Sequence, residues 1–220
     1  MPTTPQLIVL EGLDGSGKST QFDRLSAALD VKPISFPDYT SPSSSLVKMY
    51  LSGAFSANAA EVNAYAASSF YAVDRYASYK LFWEADYLAG KPVLAARYTT
   101  SNAIYQMVKL AREQWDAYLH WLEEYEYTKL ALPKPTLVLF LDMPVEVSQK
   151  LLSARYQGDE GKKDIHEADI AFLAQCREAA LYAAKKFGWT VIPCAENGLP
   201  LAVEQITETI LKIIKTSVAL

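Results

Sequence analysis

Short apolar runs recur along the chain, with helical patterns between them. Five runs, at 7–10, 34–36, 93–96, 137–141 and 191–192, are rich in leucine or β-branched residues. That is the composition of strands buried on both faces of a parallel sheet. The first helix is expected over 19–29, directly after the first strand. A short helix is expected over 43–51, after the Pro-rich turn 36–42, with Gly53 ending it. A long helical pattern runs from about 59 to 88 and is closed by Gly90 and Pro92, a helix stop followed by a strand start. The stretch 102–127 holds one or two aromatic-rich amphipathic helices and ends before Pro133 and Pro135. Pro144 suits the first position of the next helix. From 156 to 164 the chain turns polar and reads as a loop. Strands alternating with helices predict an α/β fold, a five-stranded parallel sheet wound by helices on both faces.

Length sets the domain count. The 220 residues, 24.4 kDa, predict one domain over 1–220, with no internal repeat or linker. Half the residues are apolar and 21% are charged, which excludes a disordered chain. The net charge of −4 lacks the basic footprint of a nucleic-acid binder, so an anionic ligand needs a local cluster of donors. Two cysteines, Cys176 and Cys194, are too few for a disulfide framework or a thiolate zinc site. The two histidines, His120 and His166, form no ligand pair. No apolar run approaches the ~18 residues of a membrane span, and the first six residues carry no basic leader. The expected setting is cytoplasmic, away from membranes.

The chemistry begins at Gly12-Leu13-Asp14-Gly15-Ser16-Gly17-Lys18-Ser19, which fits G-x-x-x-x-G-K-[ST], with Thr20 next. The motif follows an apolar strand and opens a helix, the context that a phosphate loop requires. Its glycines let successive backbone N–H groups turn toward one anion, and the helix N-terminus adds about half a positive charge. Lys18 then reaches the β- and γ-phosphates of a nucleoside triphosphate, and the Ser19 hydroxyl suits Mg²⁺. The motif specifies an ATP or GTP phosphate site and leaves the phosphate acceptor open.

Further residues address the acceptor. Besides residues 11–20, they are Phe36-Pro37, Phe70 with Arg75, Arg97-Tyr98-Thr99-Thr100-Ser101-Asn102 ending at Tyr105, and Leu132-Pro133-Lys134-Pro135. Together, over nearly the whole chain, these resemble the thymidylate kinase family, nucleoside monophosphate kinases of the P-loop NTPase type. The resemblance implies Mg²⁺-dependent transfer of the ATP γ-phosphoryl group to dTMP. It places Asp14 by the acceptor sugar, its phosphate and Mg²⁺. Phe36 and Phe70 fall at the base, with Phe70 stacking on thymine. Arg75 falls on base or acceptor phosphate, and Arg97 on the acceptor phosphate. Ser101 and Asn102 sit beside the base, and Tyr105 crowds the ribose 2′ position. It also implies a lid at about 156–166, where Lys162 and Lys163 act on the moving phosphoryl group and Arg155 lies by the adenine. A homodimer through the long aromatic-rich helix is implied as well.

Helical geometry adds one constraint. Phe70 and Arg75, five residues apart, point about 140° from each other and do not share a face. An arginine at the carboxyl end of a parallel strand, as Arg97 is, opens onto the edge where wound sheets bind ligands. Its planar fork matches a phosphate bidentately.

Two positions depart from the family pattern. Ala96 stands where the family carries Asp before Arg-Tyr, and Asp38-Tyr39 follows Phe36-Pro37 where many members place an arginine. Ala96 is expected to cost turnover more than binding, and Asp38-Tyr39 leaves one acceptor-phosphate contact to be carried by Arg75 and Arg97. Other readings of the same residues are a catalytically silent nucleotide-binding protein and a kinase for another nucleotide or a deoxynucleoside.

Overall fold

The computed structural model describes residues 5–56, 58, 61–155 and 170–218, the Arg155 side chain excepted. The 156–166 lid with Lys162 and Lys163, and the side chain of Arg155, lie outside the described residues.

Alternation within the central strands builds the core. In β1 (Leu7–Gly12), Leu7 and Val9 enter one apolar cluster, while Ile8 and Leu10 enter another on the opposite face. Side chains of successive strand residues point to opposite faces, so a strand that is apolar throughout must be covered twice. The covering helices are α1 (Lys18–Ala28) and α9 (Val203–Ser217) on one side. In α9, Ile206, Ile210 and Ile214 recur every fourth residue and are all buried. Burying each such side chain contributes about 1.5–3 kcal/mol relative to leaving it in water.

The sheet is parallel throughout, in the order β2-β3-β1-β4-β5, with β2 at Lys32–Ser35, β3 at Val93–Ala96, β4 at Leu137–Asp142 and β5 at Thr190–Pro193. A small antiparallel pair, β6 (Ala195–Glu196) with β7 (Leu199–Pro200), follows β5. The remaining helices are α2 (Ser45–Leu51), α3 (Ala64–Ser78), α4 (Glu84–Leu88), α5 (Thr100–Tyr105), α6 (Trp115–Glu123), α7 (Val145–Arg155) and α8 (Ile170–Phe187).

Several boundaries differ from the sequence-based expectation, for local reasons. The long helix starts at Ala64 rather than 59, because the Asn63 side chain accepts from the N–H groups of Tyr65 and Ala66 and caps it there. Its continuation passes through a π-helical turn, Tyr79–Trp83, before α4. The region expected as 102–127 divides into α5 and α6, joined by short 3₁₀ turns. A second π turn, Glu124–Lys129, extends α6.

Candidate active site

The register of β1 and β3 delivers the central residues to one edge. Leu10 pairs with Ala96, so the phosphate loop and Arg97 leave the sheet side by side. The Arg97 N–H donates to the Leu10 carbonyl at 3.1 Å. Arg97 holds φ 65°, a left-handed conformation uncommon for a side chain larger than glycine and associated with functional sites.

Glycine is required in the loop for reasons visible in the packing. A Cβ on Gly15, whose φ is 76°, would approach Leu152 Cγ and the Ser148 carbonyl to 2.9 Å. Gly12 lies beneath the loop at the end of β1, where a Cβ would fall 2.5 Å from Ser16 Oγ. Gly17 caps α1 in the left-handed conformation without a side-chain bond, and the first turn of α1 holds no acidic residue. The positive end of that helix is thus left for an external anion.

Two cavities open at this edge. One, about 480 Å³, is lined by the loop from Leu13 to Ser19, by Thr20, and by an apolar wall including Leu151, Leu152, Pro200 and Leu201. The other, about 390 Å³, is lined by Phe36, Pro37, Tyr71, Arg75, Ala96, Arg97, Ser101, Asn102, Tyr105 and Gln106, among others. Asp14, Lys18 and Ser19 line both.

Charge is concentrated where the cavities meet. Arg97 Nη2 donates to Asp14 Oδ1 at 2.6 Å, and the guanidinium lies 5.0 Å from the centre of the Tyr105 ring. Loss of water opposes the Arg97 charge, but Tyr105, Asp14 and Glu11 outweigh it and hold the group cationic. The Lys18 ammonium is lowered to about 8, first by burial and then by Arg97, with Asp14 and Glu11 partly offsetting this. Both positive groups therefore crowd the junction of the two cavities.

Glu11, fully buried, organises the turn after β3. Its Oε1 accepts from the Tyr98 N–H (3.2 Å), Thr100 Oγ1 (2.6 Å) and Ser101 Oγ (2.8 Å). Ser101 reaches the acceptor-side cavity with its hydroxyl already committed. Arg75 is also buried, its Nε and Nη2 donating to Glu126 at 2.7 and 2.5 Å.

One expected residue is displaced from the cavity wall. Phe70 is half-buried against Phe55 and Tyr50, with ring centres 5.2 and 6.4 Å away, and does not line the cavity. Tyr71 does. Four residues before Arg75, it lies about 40° from it around α3, whereas Phe70 lies about 140° away. In the sequence, the four-residue spacing from Tyr71 to Arg75 is the signal that points to Tyr71. Glu126 escaped sequence reasoning as well. Its signal was position, because it continues the buried stripe Tyr118, Leu119 and Leu122 where an apolar residue is expected.

The residues present suit Mg²⁺. Ser19 offers a hydroxyl oxygen and Asp14 a carboxylate at the junction of the cavities, both hard oxygen donors. Among the described residues no cluster of three or more His, Cys, Asp or Glu side chains forms a cage.

A parallel sheet in this order, with a glycine loop feeding α1 and a second cavity of about 390 Å³ across it, defines a P-loop kinase of a small acceptor. The thymidylate kinase family model matches residues 10–206. Thymidylate kinase of Mycobacterium tuberculosis is 30% identical over 184 residues, covering 80% of this chain and 84% of the relative. Thymidylate kinase of Caenorhabditis elegans is 29% identical, covering 74% and 72%. The solved thymidylate kinase of Candida albicans superposes with a TM-score of 0.72 at 25% identity, covering 97% of this chain and 92% of that one. The chain belongs to the thymidylate kinase family.

Proposed function

We propose that this protein transfers the γ-phosphoryl group of ATP to the 5′-phosphate of dTMP, yielding dTDP and ADP. The observation that carries the reading is the sharing of Asp14, Lys18 and Ser19 by two cavities. This sharing lets two phosphorylated ligands meet end to end.

The cavity of about 480 Å³ takes the triphosphate, its phosphates on the amides of residues 12–19 and on Lys18, with Thr20 alongside. The other takes the acceptor. Arg97 is the cation there, with a planar fork of N–H donors for its phosphate. Arg75 is matched to the base instead, because Glu126 already balances its charge, and a neutral pair suits a neutral ring better than a dianion. Both N–H groups of Asn102 are spent, on Glu126 at 3.1 Å and on the Ser68 carbonyl at 3.3 Å. Asn102 therefore offers the base an acceptor, and Arg75 offers a donor. A ring with adjacent N–H and C=O groups, as thymine has, fits that pair. Tyr71 and Phe36 supply the aromatic wall, Phe36 packing against Tyr98, and Tyr105 stands by the sugar.

The attacking atom is an acceptor phosphate oxygen already ionised at pH 7, so no general base is required. The site works by positioning and electrostatics. Mg²⁺, when bound, neutralises charge on the transferring phosphates, and Ser19 and Asp14 are the residues that would hold it. The lid at 156–166, with Lys162 and Lys163 as its cations and Arg155 by the adenine, belongs to the same proposal, as does a single domain over 1–220. So does a homodimer through the long helical segment from α3 to α4, where Leu81 and Phe82 of the π turn and Leu88 of α4 are more than half exposed. Sedimentation tests the dimer. A cytoplasmic setting rests on Cys176 and Cys194, both buried free thiols. No helix among the described residues is long and apolar enough to cross a membrane.

Initial rates with dTMP, dUMP, dGMP and thymidine measured side by side test the acceptor. The expected order puts dTMP first, and a preference for thymidine overturns the assignment.

A further inference from the structure

Four hydrogen bonds from three residues converge on the carboxylate of Glu126, which has no exposed surface. Arg75 on α3 provides two, Nε to Oε2 and Nη2 to Oε1. Thr99, just before α5, adds Oγ1 to Oε2 at 2.8 Å, and Asn102 on α5 adds Nδ2 to Oε1 at 3.1 Å. Arg75 and Asn102 line the acceptor cavity, while Glu126 does not. We propose that Glu126 is the positioning residue of the acceptor site, fixing the planes of Arg75 and Asn102 so that each presents one edge to the base. The inference rests on the acceptor reading above.

The geometry makes the orientation specific. A guanidinium carries five N–H donors, and Glu126 takes the Nε and Nη2 edge bidentately. What remains toward the cavity is the Nη1 edge, whose contact within the protein is the Tyr98 carbonyl at 3.5 Å, at the limit of a hydrogen bond. Rotation of Arg75 about its long axis would break two charge-assisted bonds at once. Asn102 is locked in the same way, because a flipped amide would set its oxygen against a carboxylate. One buried anion thus couples the edge of α3 to that of α5. It also decides that Arg75 presents a donor and Asn102 an acceptor.

Glu126 reaches this position because it lies in the π turn Glu124–Lys129 that extends α6. Such turns occur mostly as single insertions in α-helices, frequently at functional sites. A residue that only held α3 to α5 would have no need for contacts that orient two cavity-lining groups.

The test is steady-state kinetics on Glu126→Gln and Glu126→Asp, with dTMP and ATP each varied. Glutamine keeps the shape but turns one acceptor into a donor facing Arg75. Aspartate keeps the charge but withdraws it by one methylene, which safeguards the fold if the glutamine variant does not remain folded. We expect KM for dTMP to rise roughly 10–100-fold in Glu126→Gln and by a smaller factor in Glu126→Asp. kcat at saturating dTMP and KM for ATP should stay within about twofold. An unchanged KM for dTMP in a folded variant overturns the proposal. So does a parallel loss of kcat and of both affinities, the mark of a purely structural role. Wild-type protein that fails to phosphorylate dTMP removes the acceptor reading itself, whereas active wild type with unmoved variants removes only the role of Glu126.

Discussion

Arg97 Nη2 stands 2.6 Å from Asp14 Oδ1, an ion pair that joins the end of β3 to the phosphate loop at the junction of the two cavities. Because this pair is only about one-fifth exposed, it orients the guanidinium rather than merely decorating a surface. On the proposed reading, an acceptor phosphate arriving there would meet a cation already aimed, held in a strained backbone position. Arg97→Ala is expected to lower kcat/KM for dTMP by about 10²–10³, the usual loss for one positioned electrostatic group. Arg97→Lys recovers little of it, because an ammonium lacks the planar fork. Equal rates for Lys and Arg at this position would contradict the bidentate role.

Lys18 gives a pH dependence whose sign follows from its environment. Burial and Arg97 hold its ammonium near 8 in the ligand-free protein, below the ordinary 10.5. It is charged below that pH and loses its proton above it, so kcat/KM for ATP should fall as pH rises through about 8. Lys18→Arg should remove that limb, at a lower absolute rate. The same shift acts on stability. Between about 8 and 10.5 the unfolded chain binds the proton that the folded chain has released, so this group's penalty on folding fades as pH rises through the window. Below pH 8 the penalty is constant. Lys18→Met should accordingly raise the thermal midpoint of the ligand-free protein at pH 7, and a lowered midpoint would contradict the crowding of cations described here.

Tyr71 and Phe70 separate by function. Stacking of a base on an aromatic ring is worth about 1–3 kcal/mol, so Tyr71→Ala should raise KM for dTMP by roughly 5–150-fold. Phe70→Ala removes contacts with Phe55 and Tyr50 and should act chiefly on the melting temperature. The reverse outcome would place the base on the other side of α3.

Ala96 lines the acceptor cavity next to Arg97, at the position where the resemblance implies an aspartate. Ala96→Asp should raise kcat by about 10–10²-fold with little change in KM, restoring a positioned polar group beside the reacting oxygen. An unchanged kcat would show that this chain does not depend on the position.

Much of this was legible before the structure. Uninterrupted apolar runs such as 7–10 marked doubly covered strands, and the glycine-lysine loop marked the turn into α1, because backbone sterics and hydrogen-bond geometry leave few alternatives there. Buried polar partners were not legible in the same way. Arg75 reads as an ordinary helical arginine until Glu126, 51 residues later, is brought to 2.5 Å by tertiary packing. The start of α3 was displaced because a cap, Asn63, overrides the periodicity of the residues before it. Choosing between Phe70 and Tyr71 required knowing which face of α3 the cavity touches, and only the Arg75 spacing carried that information.

Asp14, Lys18 and Ser19 are the residues at which the two ligands are proposed to meet. Incubating the protein with γ-labelled ATP, Mg²⁺ and dTMP, and following both label and adenine nucleotide, tests this directly. One labelled dTDP should form for each ADP, with no release of free phosphate beyond background. ADP accumulating with free phosphate alone, or both nucleotides binding for hours without dTDP, would contradict it.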